Sequence, residues 1–166
     1  MTTSANGNRE KPTFRQYTAI RRYQGALAFS PDGEHVAYSV NISGQYNLWR
    51  QPADGGYPVQ LTLSASQSVR DIAWSPDGKE IAFTADNDGD EFTRVYRIPA
   101  RGGEPVEVAG TPDVRHYLGE WSPDGSRLAY AANDREPSDQ DVLLYDRESG
   151  ESTRVADYGG IYYAGQ

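Results

Sequence analysis

Short stretches of alternating hydrophobic and polar residues recur along the chain. The three clearest are Val36-Ala37-Tyr38, Ile81-Ala82-Phe83 and Leu128-Ala129-Tyr130, in which an aliphatic and an aromatic side chain share one face and alanine lies on the other. This two-residue alternation predicts β-strands with one buried face. A helical period of about 3.6 residues is nowhere sustained over three turns, and residues 14–23 are the one candidate for a short helix. The pattern therefore predicts an all-β chain.

A turn signature precedes each of these strands. It reads Phe29-Ser30-Pro31-Asp32-Gly33, then Trp74-Ser75-Pro76-Asp77-Gly78, then Trp121-Ser122-Pro123-Asp124-Gly125, at intervals of 45 and 47 residues. Proline fixes the backbone at the second turn position, aspartate accepts hydrogen bonds from main-chain amides, and glycine adopts positive φ without steric cost. The signature predicts a structural turn that folds the first strand of each repeat onto the second.

The remainder of each repeat predicts two more strands. A large apolar residue marks the third strand (Trp49, Tyr96 or Leu143), a turn ends at Gly56, Gly103 or Gly150, and a short β-prone segment holds Leu61, Val108 or Val155. Four strands in about 40 to 50 residues are typical of a β-propeller blade, which buries its faces by stacking on neighbouring blades. We expect Phe29, Trp74, Trp121, Trp49 and Tyr96 to pack between blades.

The predicted organisation is a partial β-propeller of three four-stranded antiparallel blades plus the first strand of a fourth. Residues 1–13 are a flexible polar tail, and residues 14–166 hold blades at about 25–62, 69–109 and 116–156. Residues 157–166 are the opening strand of the next blade, since residues 161–166 parallel residues 115–120, which run into Trp121. The chain stops just before the next expected aromatic residue, which predicts a piece of a longer propeller.

Composition narrows the functions that the chain can have. A net charge of −8 and a pI near 4.7 argue against binding to nucleic acid, which depends on clustered lysine and arginine. The absence of cysteine excludes disulfides and thiolate chemistry. No apolar run approaches the roughly 20 residues of a membrane span, and residues 1–12 lack the apolar segment of a signal peptide. A cytoplasmic location is expected if Met1 is the natural start.

No residue pattern predicts a catalytic, cofactor or metal site. The chain lacks Gly-x-Ser-x-Gly, and its two histidines, His35 and His116, lie beside predicted strands with no candidate serine nucleophile. Residues 86–91 are rich in carboxylates, but their glycine is misplaced for a calcium loop, which favours a solvated acidic loop. Arg21 and Arg22 are interpreted as residues that flank a strand rather than as a carboxylate clamp.

The repeat resembles the propeller repeat shared by TolB-like proteins and by the amino-terminal domain of the prolyl oligopeptidase family of serine peptidases. The residues that carry this resemblance are the aromatic-Ser-Pro-Asp-Gly turn, the following aliphatic-Ala-aromatic strand and the later Gly-Gly. Residues 17–23 and 52–62 resemble the peptidase branch, especially acylaminoacyl- and dipeptidyl-peptidase-like members. The resemblance covers residues 14–166, and the carboxy-terminal α/β-hydrolase half of that family is missing.

The resemblance implies two alternative functions. In the first, the chain is the non-catalytic propeller of a serine peptidase, which covers the active site and admits only short or unstructured peptides. Its partners are then the missing blades and the α/β-hydrolase domain of the parent protein. In the second, it is a TolB-like propeller that presents a surface to protein partners, with a secretory signal in the parent. In either case two open blade faces predict self-association, for instance of two copies into a ring of six blades.

Overall fold

The computed structural model describes residues 22–161, which form twelve β-strands and no helix. The strands make three separate four-stranded sheets. Tyr23, the last residue of the candidate helix, opens the first strand, and residues 14–21 lie outside the described residues. The strands are β1 (Tyr23–Phe29), β2 (His35–Val40), β3 (Asn47–Pro52), β4 (Val59–Gln60), β5 (Gln67–Trp74), β6 (Glu80–Asn87), β7 (Arg94–Pro99), β8 (Val106–Ala109), β9 (His116–Trp121), β10 (Arg127–Ala132), β11 (Asp141–Asp146) and β12 (Ser152–Ala156).

Each sheet is an antiparallel meander in which consecutive strands are neighbours. Blade 1 contains β1 to β4, blade 2 contains β5 to β8, and blade 3 contains β9 to β12. The pairing of the first and second strands shifts register once in every blade. The prediction of an all-β partial propeller with three four-stranded antiparallel blades is confirmed.

The end of the described chain leaves blade 3. Ile161 forms an isolated parallel bridge with Gln140, and the Gln140 amide donates to the main-chain oxygen of Gly160 at 2.8 Å. The rest of the predicted opening strand of a fourth blade, residues 162–166, lies outside the described residues.

The hydrophobic core consists of two layers, one between each pair of neighbouring blades. The first layer joins blades 1 and 2 through Ala37, Leu48, Leu61, Val69, Ile81, Phe83, Ala85, Tyr96, Ile98 and Ala100. The second joins blades 2 and 3 through Ala82, Val95, Val114, Trp121, Leu128, Tyr130, Ala132, Leu143 and Tyr145. Burial of apolar surface in these layers is what holds the small sheets together.

The second strand of blade 2 differs from the half-buried strand that its alternation predicts. Phe83 belongs to the layer shared with blade 1, whereas its neighbour Ala82 belongs to the layer shared with blade 3. Because blade 2 has a blade on either side, β6 is buried on both faces. A two-residue alternation therefore marks which neighbour each side chain contacts, rather than which side chains contact water.

Candidate functional site: turns, blade interfaces and open faces

Each Ser-Pro-Asp-Gly segment forms a closed hydrogen-bonded turn. In blade 1 the Ser30 hydroxyl donates to Asp32 Oδ1 at 2.5 Å, and the Glu34 amide donates to the same oxygen at 3.0 Å. The Gly33 amide donates to the Ser30 carbonyl at 2.8 Å with φ at +73°, a conformation that favours glycine. The same bonds recur at residues 75–80 and 122–127.

These bonds occupy the carboxylates of the turns. The Ser122 hydroxyl, followed by the amide and hydroxyl of Ser126, lowers the pKa of Asp124 to about 2. Burial opposes the shift at Asp77, but hydrogen bonds from Ser75, the Lys79 amide and Arg147 still lower its pKa to about 2. A carboxylate held so firmly as an acceptor is a poor general base near neutral pH. The turn aspartates therefore stabilise the turns through their hydrogen bonds.

The aromatic residue before each turn lies at a blade interface wherever a preceding blade exists. The Trp74 indole nitrogen donates to the main-chain oxygen of Ala28 in blade 1 at 3.0 Å, and that of Trp121 donates to Ala73 in blade 2 at 3.4 Å. Phe29 occupies the same position in blade 1, where the described residues provide no preceding blade, and it is 60% exposed. The packing expected of Phe29 is therefore not made within residues 22–161.

The apolar residues of the third strands are also placed differently in different blades. Tyr96 is buried, stacks on Phe83 with ring centroids 5.3 Å apart, and accepts a hydrogen bond from Gln67 at 3.0 Å. Trp49, its counterpart in blade 1, is half-buried opposite Tyr38. The indole nitrogen of Trp49 is itself buried and has no hydrogen-bond partner.

Two sheet faces are uncovered by any described blade. The front face of blade 1 carries Tyr23, Leu27 and Phe29, which alternate along β1 and are 59% to 62% exposed. The back face of blade 3 carries Ala129 and Leu144, which are paired across β10 and β11 and point away from the layer shared with blade 2. The first face is aromatic and protruding, whereas the second is lined by smaller side chains.

A set of charged contacts between blades 2 and 3 was not foreseen from the sequence. Arg97 donates to Glu80 at 2.6 Å within blade 2 and to the Tyr145 hydroxyl of blade 3 at 3.2 Å. Arg147 of blade 3 donates to Asp77 of blade 2 at 3.2 Å and lies over the Trp121 ring, 5.7 Å from its centroid. Blade 2 has Ile98 and Ala100 where blade 3 has Tyr145 and Arg147, so the shared motif gave no signal for these contacts.

Two buried aspartates at strand ends, Asp86 in β6 and Asp141 in β11, bind arginines of their own chain, so the solvated loop expected over residues 86–91 does not include Asp86. Asp86, from the loop considered for calcium, has a side chain only 1% exposed and pairs with Arg70 at 2.5 Å. Asp141 in blade 3 accepts from Arg135 and from Arg154, at 2.8 and 2.6 Å. The Arg135 hydrogen bonds are the main reason that the pKa of Asp141 is lowered. Within residues 22–161 no group of three or more histidine, aspartate or glutamate side chains is arranged to hold a metal ion.

The two histidines have separate structural environments. His116 is buried at the start of β9, and its Nδ1 lies 2.8 Å from the main-chain oxygen of Thr93 in blade 2. Burial lowers the pKa of His116, so the ring is neutral at neutral pH and the short contact requires a proton on Nδ1. His35 is half-buried at the start of β2, and its main-chain amide donates to Ser30 Oγ at 2.9 Å.

Three stacked, four-stranded antiparallel blades, each with the same turn between its first and second strands, define this region as part of a β-propeller domain. The chain belongs to the TolB β-propeller family, whose model matches residues 10–157. Within the described part of the chain no helix has the length and apolar composition needed to span a membrane.

Comparisons with individual proteins agree with this family and add a link to peptidases. The chain is 31% identical over 72 residues to dipeptidyl peptidase family member 6 of Caenorhabditis elegans, a match that spans 43% of this chain and 10% of that protein. The fold is similar to that of TolB from Acinetobacter baumannii, with a TM-score of 0.64 and 19% identity, over 86% of this chain and 34% of TolB. It is also similar to a prolyl endopeptidase structure, with a TM-score of 0.57 and 15% identity, over 80% of this chain and 22% of that chain.

Proposed function

We propose that this chain supplies blades of a propeller that restricts access to the catalytic site of a serine peptidase. The observation that carries the proposal is the 31% identity with a dipeptidyl peptidase family member over 72 residues, within a chain of the TolB propeller family. The fold similarity to a prolyl endopeptidase is consistent with it. The match spans a tenth of the relative, so the catalytic activity would belong to other parts of a longer protein.

The mechanism of such a domain is size exclusion. Stacked sheets held by two apolar layers and by closed turns form a rigid wall, and a rigid wall admits a short or extended peptide more readily than a folded protein. The role needs no reacting group from these residues. It needs neighbouring blades, which we propose pack on the front face of blade 1 and the back face of blade 3.

The coding sequence downstream of Gln166 gives the first test. A Gly-x-Ser-x-Gly segment a few hundred residues further on supports the peptidase, because it places a serine nucleophile in a strand-to-helix turn. The full-length product should then cleave a short fluorogenic peptide far faster than the same sequence within a folded protein. Equal cleavage of both substrates would contradict size exclusion.

An interaction propeller of the TolB type is the second candidate. The family match and the exposed aromatic side chains of the front face favour it, since large exposed apolar patches commonly mark protein interfaces. On this hypothesis the parent protein has a secretory signal and encodes no hydrolase domain. The same downstream sequence distinguishes it from the peptidase.

A further inference from the structure

An arginine at the same strand position has hydrogen-bond partners at one blade interface and lacks them at the other. Arg97 in β7 and Arg50 in β3 occupy matching positions, since they pair across their sheets with Ala82 and Ala37. Between blades 2 and 3 the guanidinium of Arg97 is satisfied by the Glu80 carboxylate and by the Tyr145 hydroxyl. An arginine at this position of the third strand therefore needs a hydrogen-bond acceptor close to the blade interface.

Both acceptors are missing from the interface between blades 1 and 2. His35 stands where blade 2 has Glu80, since each pairs with the proline that ends the third strand. Ile98 stands where blade 3 has Tyr145. The Nε atom of Arg50 is consequently buried without a hydrogen-bond partner, and its guanidinium forms no ion pair with any residue among 22–161. An unpaired buried donor of this kind is unfavourable, because it has lost its hydrogen bonds to water without gaining another.

An open space adjoins this arginine. Ala100 of blade 2 takes the position of Arg147 in blade 3, since the amide of each donates to the residue after the turn glycine. Arg147 covers the Trp121 ring, whereas Ala100 is too short to cover Trp74 in the same way. The result is a cleft of about 680 Å³ between blades 1 and 2, lined by Arg50, Trp74, Ala100 and the turns around them.

The charges at the cleft leave Arg50 available to a ligand. Asp32 accepts from Ser30 and from the Glu34 amide, and Asp77 is held by its own turn and by Arg147. Lys79 and Arg101 lie exposed at the rim and add positive charge. Glu34 is the one acidic side chain of the rim without a fixed partner, and it would compete with an incoming anion.

We propose that this cleft binds the carboxylate of an acidic peptide side chain, with Arg50 donating to the carboxylate and Trp74 packing against its aliphatic stem. A guanidinium recognises a carboxylate through charge-assisted hydrogen bonds, and the indole provides the apolar wall that a free inorganic anion would not use. Both blades that form the cleft belong to the described chain, so the inference is independent of the peptidase proposal.

The test is an NMR titration of the isotopically labelled 166-residue chain with the peptide Ac-Ala-Glu-Ala-NH2. Saturable shifts of the Arg50 Nε and Trp74 indole signals are expected, with dissociation in the millimolar range that suits one exposed ion pair. The matched peptide Ac-Ala-Gln-Ala-NH2 should bind at least about tenfold more weakly. Equal shifts with both peptides, or no saturation with either, would overturn the proposal.

Butyrate should also bind, and tighter binding of inorganic phosphate than of butyrate would overturn the assignment to a carboxylate.

Four variants complete the test. Arg50→Gln removes the charge and should weaken binding of the Glu peptide by about tenfold or more. Ala100→Arg introduces the side chain that blade 3 has at the matching position, Arg147, and should block binding by filling the cleft. Because Ala100 belongs to the first apolar layer, an unchanged circular-dichroism spectrum must first show that this variant folds. Glu34→Gln removes the competitor and should tighten binding. Arg115→Gln changes an exposed arginine that pairs with Glu91 at 3.8 Å, far along the chain, and should have no effect. Unchanged binding in both Arg50→Gln and Ala100→Arg would refute the site.

Discussion

The indole nitrogen of Trp74 donates a 3.0 Å hydrogen bond to the main-chain oxygen of Ala28 in the preceding blade. Trp121 repeats this bond to Ala73 one blade further on, at 3.4 Å. The tryptophan before the turn thus joins blade 2 to blade 1 and blade 3 to blade 2, in addition to its position beside the turn. The repeat therefore encodes both the sheet and the way in which sheets stack.

Replacing Trp74 by phenylalanine tests this bond. The Trp74→Phe variant keeps an aromatic ring at the interface but leaves the Ala28 oxygen without its donor, and should lower the free energy of unfolding by about 1 kcal/mol. Urea denaturation followed by circular dichroism measures the change. Phe29→Leu is the matched control, because Phe29 has the same place in its repeat but is 60% exposed, and should change stability little at a concentration at which the chain is monomeric. Equal losses in both variants would argue against a specific role for the bond.

The buried His116 predicts a decrease in stability at mildly acidic pH. Burial, opposed by the Thr93 carbonyl and Asp134, lowers its pKa below the ordinary value of 6.5, so the unfolded chain binds a proton that the folded chain resists. The contribution of His116 to the free energy of unfolding is therefore fully present above pH 6.5 and declines as the pH falls through that value. Urea unfolding at several pH values between neutrality and about pH 5 measures this slope.

The histidine variants assign that slope to one residue. His116→Gln should flatten the pH dependence, since glutamine does not titrate and retains a donor for the Thr93 carbonyl. His35→Gln should retain the slope, because the bond of His35 to Ser30 is made by its main-chain amide. If the slope persisted in His116→Gln, some other group would have to account for it.

The turn aspartates predict a second loss of stability in stronger acid. The pKa of Asp77 is about 2 in the folded chain against an ordinary value of 3.8, so its contribution is present above pH 3.8 and is lost as the pH falls toward 2. Asp77→Asn should be less stable than the unmodified chain at neutral pH and should approach it near pH 2. Carboxyl carbon shifts recorded by NMR would report the titration of Asp77 directly, and a midpoint near 3.8 would contradict the assignment.

The sequence predicts the blades well because the turn signature acts locally. Ser30, Asp32 and Gly33 bond to one another or to residues within five positions, so their chemistry determines the turn wherever it occurs. The contact from Arg97 to Tyr145 spans 48 residues and depends on a tyrosine at a position where blade 2 has Ile98. The cleft beside Arg50 forms because the interface between blades 1 and 2 lacks residues that match Glu80, Tyr145 and Arg147. The repeat motif does not include these positions, so it does not predict the cleft. The burial of Phe29 depends on whether another blade is present, so its repeat position alone does not determine it.

Self-association of the 166-residue chain is the last prediction. The front face of blade 1 presents Phe29 at the position from which Trp74 and Trp121 pack onto a neighbour, and the back face of blade 3 continues the series of faces that receive them. A second copy can therefore stack its blade 3 on blade 1 in the same manner as the internal interfaces, which would bury the exposed Tyr23 and Leu27.

Sedimentation velocity at low micromolar concentration should show species larger than the monomer. Phe29→Glu should shift them to the monomer, because it places a charge in the new interface, whereas Tyr57→Glu, at a residue that is 94% exposed outside the front face, should not. A monomer that is independent of concentration would contradict the stacking of copies.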